Sequence, residues 1–167
     1  MNKQELQNEI NKTKEHLANM EKMLAECEYE RWKPTKSSIY YAVTEFNNVE
    51  NIQYWQDDLD KDRYNTYNCF QTREQAEVEA EKILVRRMLE DIARRLNKGK
   101  EIDWFDDAQY KFCITEHFTK YSPQSLELQG MQAIKNEGTV YCLSEDFLDV
   151  AIQEIGEERL KKYLRGE

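Results

Sequence analysis

Residues 72–97 read TREQAEVEAEKILVRRMLEDIARRLN, and this stretch decides the fold. Thr72 and Gln75 stand in capping-box register: the threonine side chain accepts from the backbone N–H of Gln75, and the Gln75 side chain accepts in return from that of Thr72. Glu74 and Glu77 suit the positive helix end. Behind the cap, Ala76, Ala80, Ile83, Leu84, Met88, Leu89, Ile92, Ala93 and Leu96 recur at three- and four-residue spacing, which predicts a helix with one apolar stripe facing a core. Asn97, Lys98 and Gly99 supply the stop, a basic last turn running into residues that tolerate left-handed backbone.

Strands flank this helix on both sides. Upstream, residues 38–46 alternate, with Ile39, Tyr41, Val43 and Glu45 on one side and Tyr40, Ala42, Thr44 and Phe46 on the other. Asn47 and Asn48 mark a turn. Residues 52–56 return as the second strand of a hairpin, and a short strand about residues 68–70 leads into the Thr72 cap. Downstream, residues 110–118 read as a half-buried antiparallel strand. Residues 126–134 and 139–143 read as two more strands, joined across Asn136, Glu137 and Gly138 as a hairpin. Ser144 caps a last helix with Glu145 and Asp146 in its first turn and Phe147, Leu148, Ala151, Ile152 and Ile155 as its stripe, broken at Gly156. Cys69-Phe70 before the Thr cap and Cys142-Leu143 before the Ser cap form a short internal echo. The expected architecture is α+β: an antiparallel sheet packed with two helices over residues 38–167.

The first 31 residues differ. Leu6, Ile10, Leu17, Met20, Leu24 and Cys27, with Thr13 in the one polar slot, follow a 4, 3, 4, 3, 4, 3 spacing. That heptad seam predicts a coiled-coil helix that pairs with a second copy; the plainer alternative is one amphipathic helix lying on its own domain. Trp32, Lys33 and Pro34 end it. A seam this short is marginal alone, so the α+β domain contributes to any homodimer.

Bulk composition excludes several classes. The chain has 167 residues, enough for one sizeable core, and 33 Asp and Glu against 24 Lys and Arg, a formal net charge of −9. Direct nucleic-acid binding needs clustered cations, so none is expected; the same charge steers the chain toward a protein with a basic surface. No apolar run approaches the roughly 18 residues of a membrane span, and the polar N-terminus is no signal peptide. Four scattered cysteines without a CxxC pair read as reduced, buried thiols of a cytosolic protein.

Two acidic segments stand out. In the first, Asp57, Asp58, Asp60 and Asp62 form an acidic turn whose alternate spacing at Asp58, Asp60 and Asp62 resembles a calcium loop, but Arg63 replaces the turn glycine and Cys69 the bidentate glutamate, so no metal is assigned. In the second, Glu101, Asp103, Asp106 and Asp107 surround Trp104 and Phe105, read as aromatics tucked beneath a loop. Catalytic chemistry finds little support. Only His16 and His117 offer a base, and Cys113 with His117 on one strand stands about 13 Å apart. No phosphate loop and no cofactor motif is present. The protein is read as a binder, with no catalytic residue assigned. One binding reading uses the eight carboxylates of the two acidic segments against a basic surface. Another stacks a nucleotide-like ligand in a dimer cleft, drawing on Trp55, Tyr64, Tyr67 or Trp104 with Arg63 or Arg87 for phosphate. A small enzyme of unassigned reaction comes third.

The run Trp55-Gln-Asp-Asp, Arg63-Tyr64, Asn68-Cys-Phe70 and Thr72-Arg-Glu-Gln-Ala76-Glu77, with Asp103-Trp104 further on, resembles a signature of small uncharacterised proteins carried by phages and prophages of Gram-positive bacteria. The likeness covers roughly residues 38 to 115, and Tyr67 stands where a glycine commonly precedes the Asn. It implies an accessory phage gene, a class often devoted to disabling host defences. On that footing the expected function is counter-defence: binding and inhibiting a host immune component, as an acidic competitor of a CRISPR-type effector or as a sponge for a nucleotide immune signal.

Overall fold

The computed structural model describes residues 3–26, 31–119, 122–131 and 135–167. They divide into two compact units, Met1–Lys33 and Pro34–Glu167. Among them no helix is long and apolar enough to cross a membrane.

The first unit is built on one helix, α1 (Lys3–Glu26). Ile10, Leu17 and Met20 of the predicted seam are exposed on it. Thr13 turns its hydroxyl back to the Glu9 carbonyl at 2.8 Å, the usual refuge of a threonine inside a helix. The side chains of Leu6 and Leu24 and all of Cys27 lie outside the described residues.

The second unit is α+β. A hairpin of β1 (Ile39–Val43) and β2 (Val49–Gln53) is followed by α2 (Asp58–Asn65) and the long helix α3 (Arg73–Asn97). A second hairpin of β3 (Lys111–Thr119) and β4 (Ser122–Met131) is followed by α4 (Phe147–Ile155) and α5 (Glu157–Arg165). Both hairpins are antiparallel, with Tyr40 opposite Ile52 in one and Ile114 opposite Leu128 in the other.

The capping box of α3 is formed as expected, both reciprocal bonds present. The single stripe is not. Ala76, Ala80 and Ile83 pack with Tyr41, Val43, Val49 and Phe70 on the first hairpin. Val85, Leu89, Ile92 and Ala93 pack with Ile114, Phe147, Ala151, Ile155 and Leu160 of the second half. Nine residues at roughly 100° each place Val85 about 180° around the helix from Ala76. The helix thus buries one face near its start and the opposite face near its end, joining two cores like a beam. For that reason Val85 is fully buried and Leu84, assigned to the stripe from spacing, is exposed.

The internal echo extends to the backbone. Phe70 reaches back to β1 by a pair of bonds with Tyr41, both 2.9 Å, and Cys142 reaches back to β3 by a pair with Phe112, at 2.7 and 2.8 Å. Each half is therefore a hairpin, a single antiparallel bridge to its first strand, then a helix. Each bridge is reinforced by an asparagine. Asn68 donates to the Val43 carbonyl and accepts from its N–H, both at 2.7 Å. Asn97 accepts from the Leu143 N–H at 2.8 Å and from the Cys142 thiol at 3.2 Å. The second asparagine explains a departure from expectation. Residues 139–143 do not return as a hairpin partner of the strand before them, because the Leu143 N–H is taken by the end of α3 and β4 is paired with β3 instead. Of the strand expected to end at residue 134, residues 132–134 lie outside the described set.

Candidate functional site

The two acidic segments fold in unlike ways. Residues 57–62 are not a turn: Asp57 caps α2, its carboxylate accepting from the Asp60 N–H at 2.8 Å. Helical geometry then sends Asp58, Asp60 and Asp62 in different directions, about 200° apart for each two residues, so they do not converge as in a calcium loop. Asp58 is exposed and pairs with Lys61 at 2.8 Å, and Asp62 is exposed. Asp60 points inward and is 2% exposed. One of its oxygens accepts from the Tyr40 hydroxyl at 2.8 Å, and the other from the backbone N–H groups of Trp55 and Gln56 at 2.7 and 2.9 Å.

Around that carboxylate a closed polar network forms. Arg63 donates to the Tyr40 hydroxyl at 3.2 Å, and the Tyr54 ring stands edge-on to Tyr40 at 6.1 Å. Burial alone raises the Asp60 carboxyl, yet the bonds from Tyr40 and the two backbone N–H groups outweigh it and hold the group below its ordinary range. Tyr40 moves the other way: burial and the neighbouring carboxylate, against the pull of Arg63, leave its hydroxyl pushed up to about 12. Asp60, read from sequence as part of an acidic docking patch, is therefore structural, and Arg63 is occupied in the same network. Outside it, Trp55 and Leu59 remain exposed beside Asp57, Asp58 and Asp62.

Residues 101–110 are a loop stitched by its own side chains. The Asp103 carboxylate accepts from the Phe105 N–H and that of Asp106 from the Ala108 N–H, both at 2.9 Å, two successive Asx turns. Gln109 accepts from the Asp103 N–H at 2.8 Å and donates to the Glu101 carbonyl at 3.3 Å. The loop is tied down by Lys111 of β3, which is fully buried and donates to the Asp106 carbonyl at 2.7 Å. Trp104 lies half-buried, edge-on to Tyr141 at 4.9 Å, with the Lys111 and Lys135 ammonium groups each 5.8 Å from its ring centre. Its ring is part of the framework. Phe105, expected to tuck under with it, is instead 97% exposed. Two consecutive aromatics thus part company, Trp104 inward and Phe105 outward, with Glu101, Asp103, Asp106 and Asp107 exposed around it.

The residues proposed for a nucleotide-like ligand also separate. Tyr64 is half-buried on α2. Tyr67 and Arg87 meet: both line a cleft of about 340 Å³ between the first hairpin, the residues after α2 and α3. Asn47, missed in the sequence as anything but a turn residue, lines it too. Cys113 and His117 do not form a dyad. Cys113 is buried with its thiol pushed up by that burial, whereas His117 is exposed 3.8 Å from Glu127. A thiol kept neutral is a poor nucleophile.

No family model matches this chain, and neither the curated proteins nor the solved structures yield a match.

Proposed function

We propose that the protein works by binding, its acidic surfaces occupying the basic, nucleic-acid-binding face of a host immune protein. The observation that carries this reading is Phe105, 97% exposed on a loop held in place by five side-chain hydrogen bonds, in a segment whose Glu101, Asp103, Asp106 and Asp107 are also exposed. A large apolar side chain left in water on a preordered loop favours insertion into a partner, because little ordering entropy is lost on docking. The surrounding carboxylates select a partner whose apolar pocket is rimmed by Lys and Arg, and they speed the encounter. Trp55 and Leu59 beside Asp58 and Asp62 repeat the combination on a second surface. The resemblance to phage accessory proteins supplies the setting, counter-defence against a CRISPR-type effector in a Gram-positive host. In this account α1 joins two copies through its heptad seam, and the second copy doubles the acidic surface.

The test is competition. Guide-loaded effectors from Gram-positive hosts are mixed with the protein and their target-DNA binding is followed by fluorescence anisotropy. Displacement of DNA by the wild type, and its loss in Phe105→Ala, is the expected result; undiminished DNA binding at saturating protein overturns the reading.

A further inference from the structure

The bridge between Phe112 and Cys142 is a ladder that stops after one rung. Both bonds of that rung, at 2.7 and 2.8 Å, use the N–H and C=O of Phe112, so these groups point away from β4. Backbone direction alternates along a strand, and Ile114 and Glu116 therefore aim theirs to the same side as Phe112. Followed back from Cys142, a continued ladder would set Val140 opposite Ile114 and Gly138 opposite Glu116. The chain turns instead: Gly138 takes φ 79°, Thr139 donates to the Asn136 carbonyl at 3.3 Å, and the Asn136 N–H donates to the Tyr141 hydroxyl at 2.8 Å. Among the described residues, no backbone group answers those of Ile114 and Glu116 on this side.

A cleft of about 430 Å³ opens where the ladder stops, a volume within the range of ligand sites. The consecutive residues Cys113, Ile114, Thr115 and Glu116 line it, and so do residues 136–140. Neighbouring strand residues point to opposite faces of a sheet, so a cleft touched by four in succession lies along the edge of β3 and not on either face. Leu89, Phe147, Leu160 and Leu164 add apolar lining. Glu137, exposed, lines it too and holds no cation among the described residues. Ile114 and Glu116 stand about 6.8 Å apart along the strand, and paired N–H and C=O groups repeated at that spacing match a second strand better than a compact small molecule.

We infer that this cleft is a strand-addition site, filled by an extended segment of a partner protein that pairs antiparallel with β3 at Ile114 and Glu116. Main-chain bonds hold such a segment and its alternate side chains select it. The residue opposite Ile114 shares its face, which packs into the core with Leu89 and Phe147, so that residue is apolar. Glu137 favours Lys or Arg flanking it. The site is separate from Phe105 and does not rest on the docking reading.

Calorimetric titration of the full chain with the capped peptide KVTVTVK tests it. Its valines share the face of Ile114 and send their N–H groups to β3, whereas its threonines send theirs away. N-methylation of the valine amides should weaken binding at least about tenfold, and N-methylation of the threonine amides should change it by less than about threefold. In hydrogen exchange of the free chain, the Ile114 and Glu116 amides should exchange faster than those of Cys113 and Thr115, which β4 holds, and should become protected when the peptide is added. Absence of a titration, or equal effects of the two methylations, would overturn the assignment. So would protection of Ile114 and Glu116 already present in the free chain, which would mean that residues 136–140 close on β3, or a peptide that dissociates a dimer in sedimentation, which would give the edge to a second copy.

Discussion

Residues 57–62 and 101–107 have nearly the same composition, four carboxylates with an aromatic close by, and opposite destinies. In the first, Asp60 is drawn inside to satisfy Tyr40 and two backbone N–H groups, and the segment becomes a helix whose acidity is partly spent on the fold. In the second, the carboxylates close only local Asx turns and lift Phe105 into solvent. An acidic run thus acquires its meaning from whatever lies opposite it in space. Here that is a buried tyrosine in one case and water in the other.

The comparison breaks most visibly at Asp60. Replacement by Ala strands the Trp55 and Gln56 N–H groups and leaves Tyr40 with Arg63 alone, which should destabilise the chain by about 3 kcal/mol. A denaturant titration checks this, and a loss as small as that of a surface substitution would contradict the network. Asp60 also sets a pH signature. Its folded-state pKa lies below the unfolded value, so its contribution is present above the usual carboxylate range and is lost as pH falls through the depressed pKa. Asp60→Asn should flatten part of the acid limb of a stability–pH curve. Tyr40 works at the other extreme: with its pKa raised to about 12, its contribution is full below the unfolded value and fades as pH rises toward 12.

Phe105→Ala should behave in the reverse manner. Partner affinity should drop by about 2 kcal/mol or more, as for a central aromatic anchor, while thermal stability stays level. Tyr67→Gly sharpens the picture by a smaller amount. Tyr67 occupies φ 62°, where side chains other than glycine are strained, so the variant should gain up to about 1 kcal/mol in denaturant unfolding. Asp58→Ala and Asp62→Ala, at exposed positions of the same helix that carries Asp60, should change stability by no more than about 0.5 kcal/mol.

These residues also mark how far the sequence could be read. The Thr72 capping box and the Gly156 break follow from local chemistry, and each is legible because its partners lie within a few residues; the first hairpin is legible as two strands about Asn47, but its return strand is Val49–Gln53 and not residues 52–56. The two faces of α3 are not: spacing shows that apolar residues recur but not which core each half meets, so it selects Leu84 where the fold buries Val85. Asp60 was hidden because Tyr40 lies 20 residues upstream. The misplaced hairpin at residues 139–143 has the same origin, Asn97 being 46 residues from the N–H it binds. The outward turn of Phe105 did leave a signal: Asp103 and Asp106 each stand two residues before the N–H they accept from, the spacing of an Asx turn.

The central claim is that Phe105 anchors an acidic docking surface. It is tested most directly by the affinity of wild type and Phe105→Ala for a DNA-free, guide-loaded effector at low and at moderate salt. The account predicts wild-type binding that weakens as salt screens the carboxylates, and a variant that binds poorly at both. A Phe105→Ala protein that binds as tightly as wild type would contradict it.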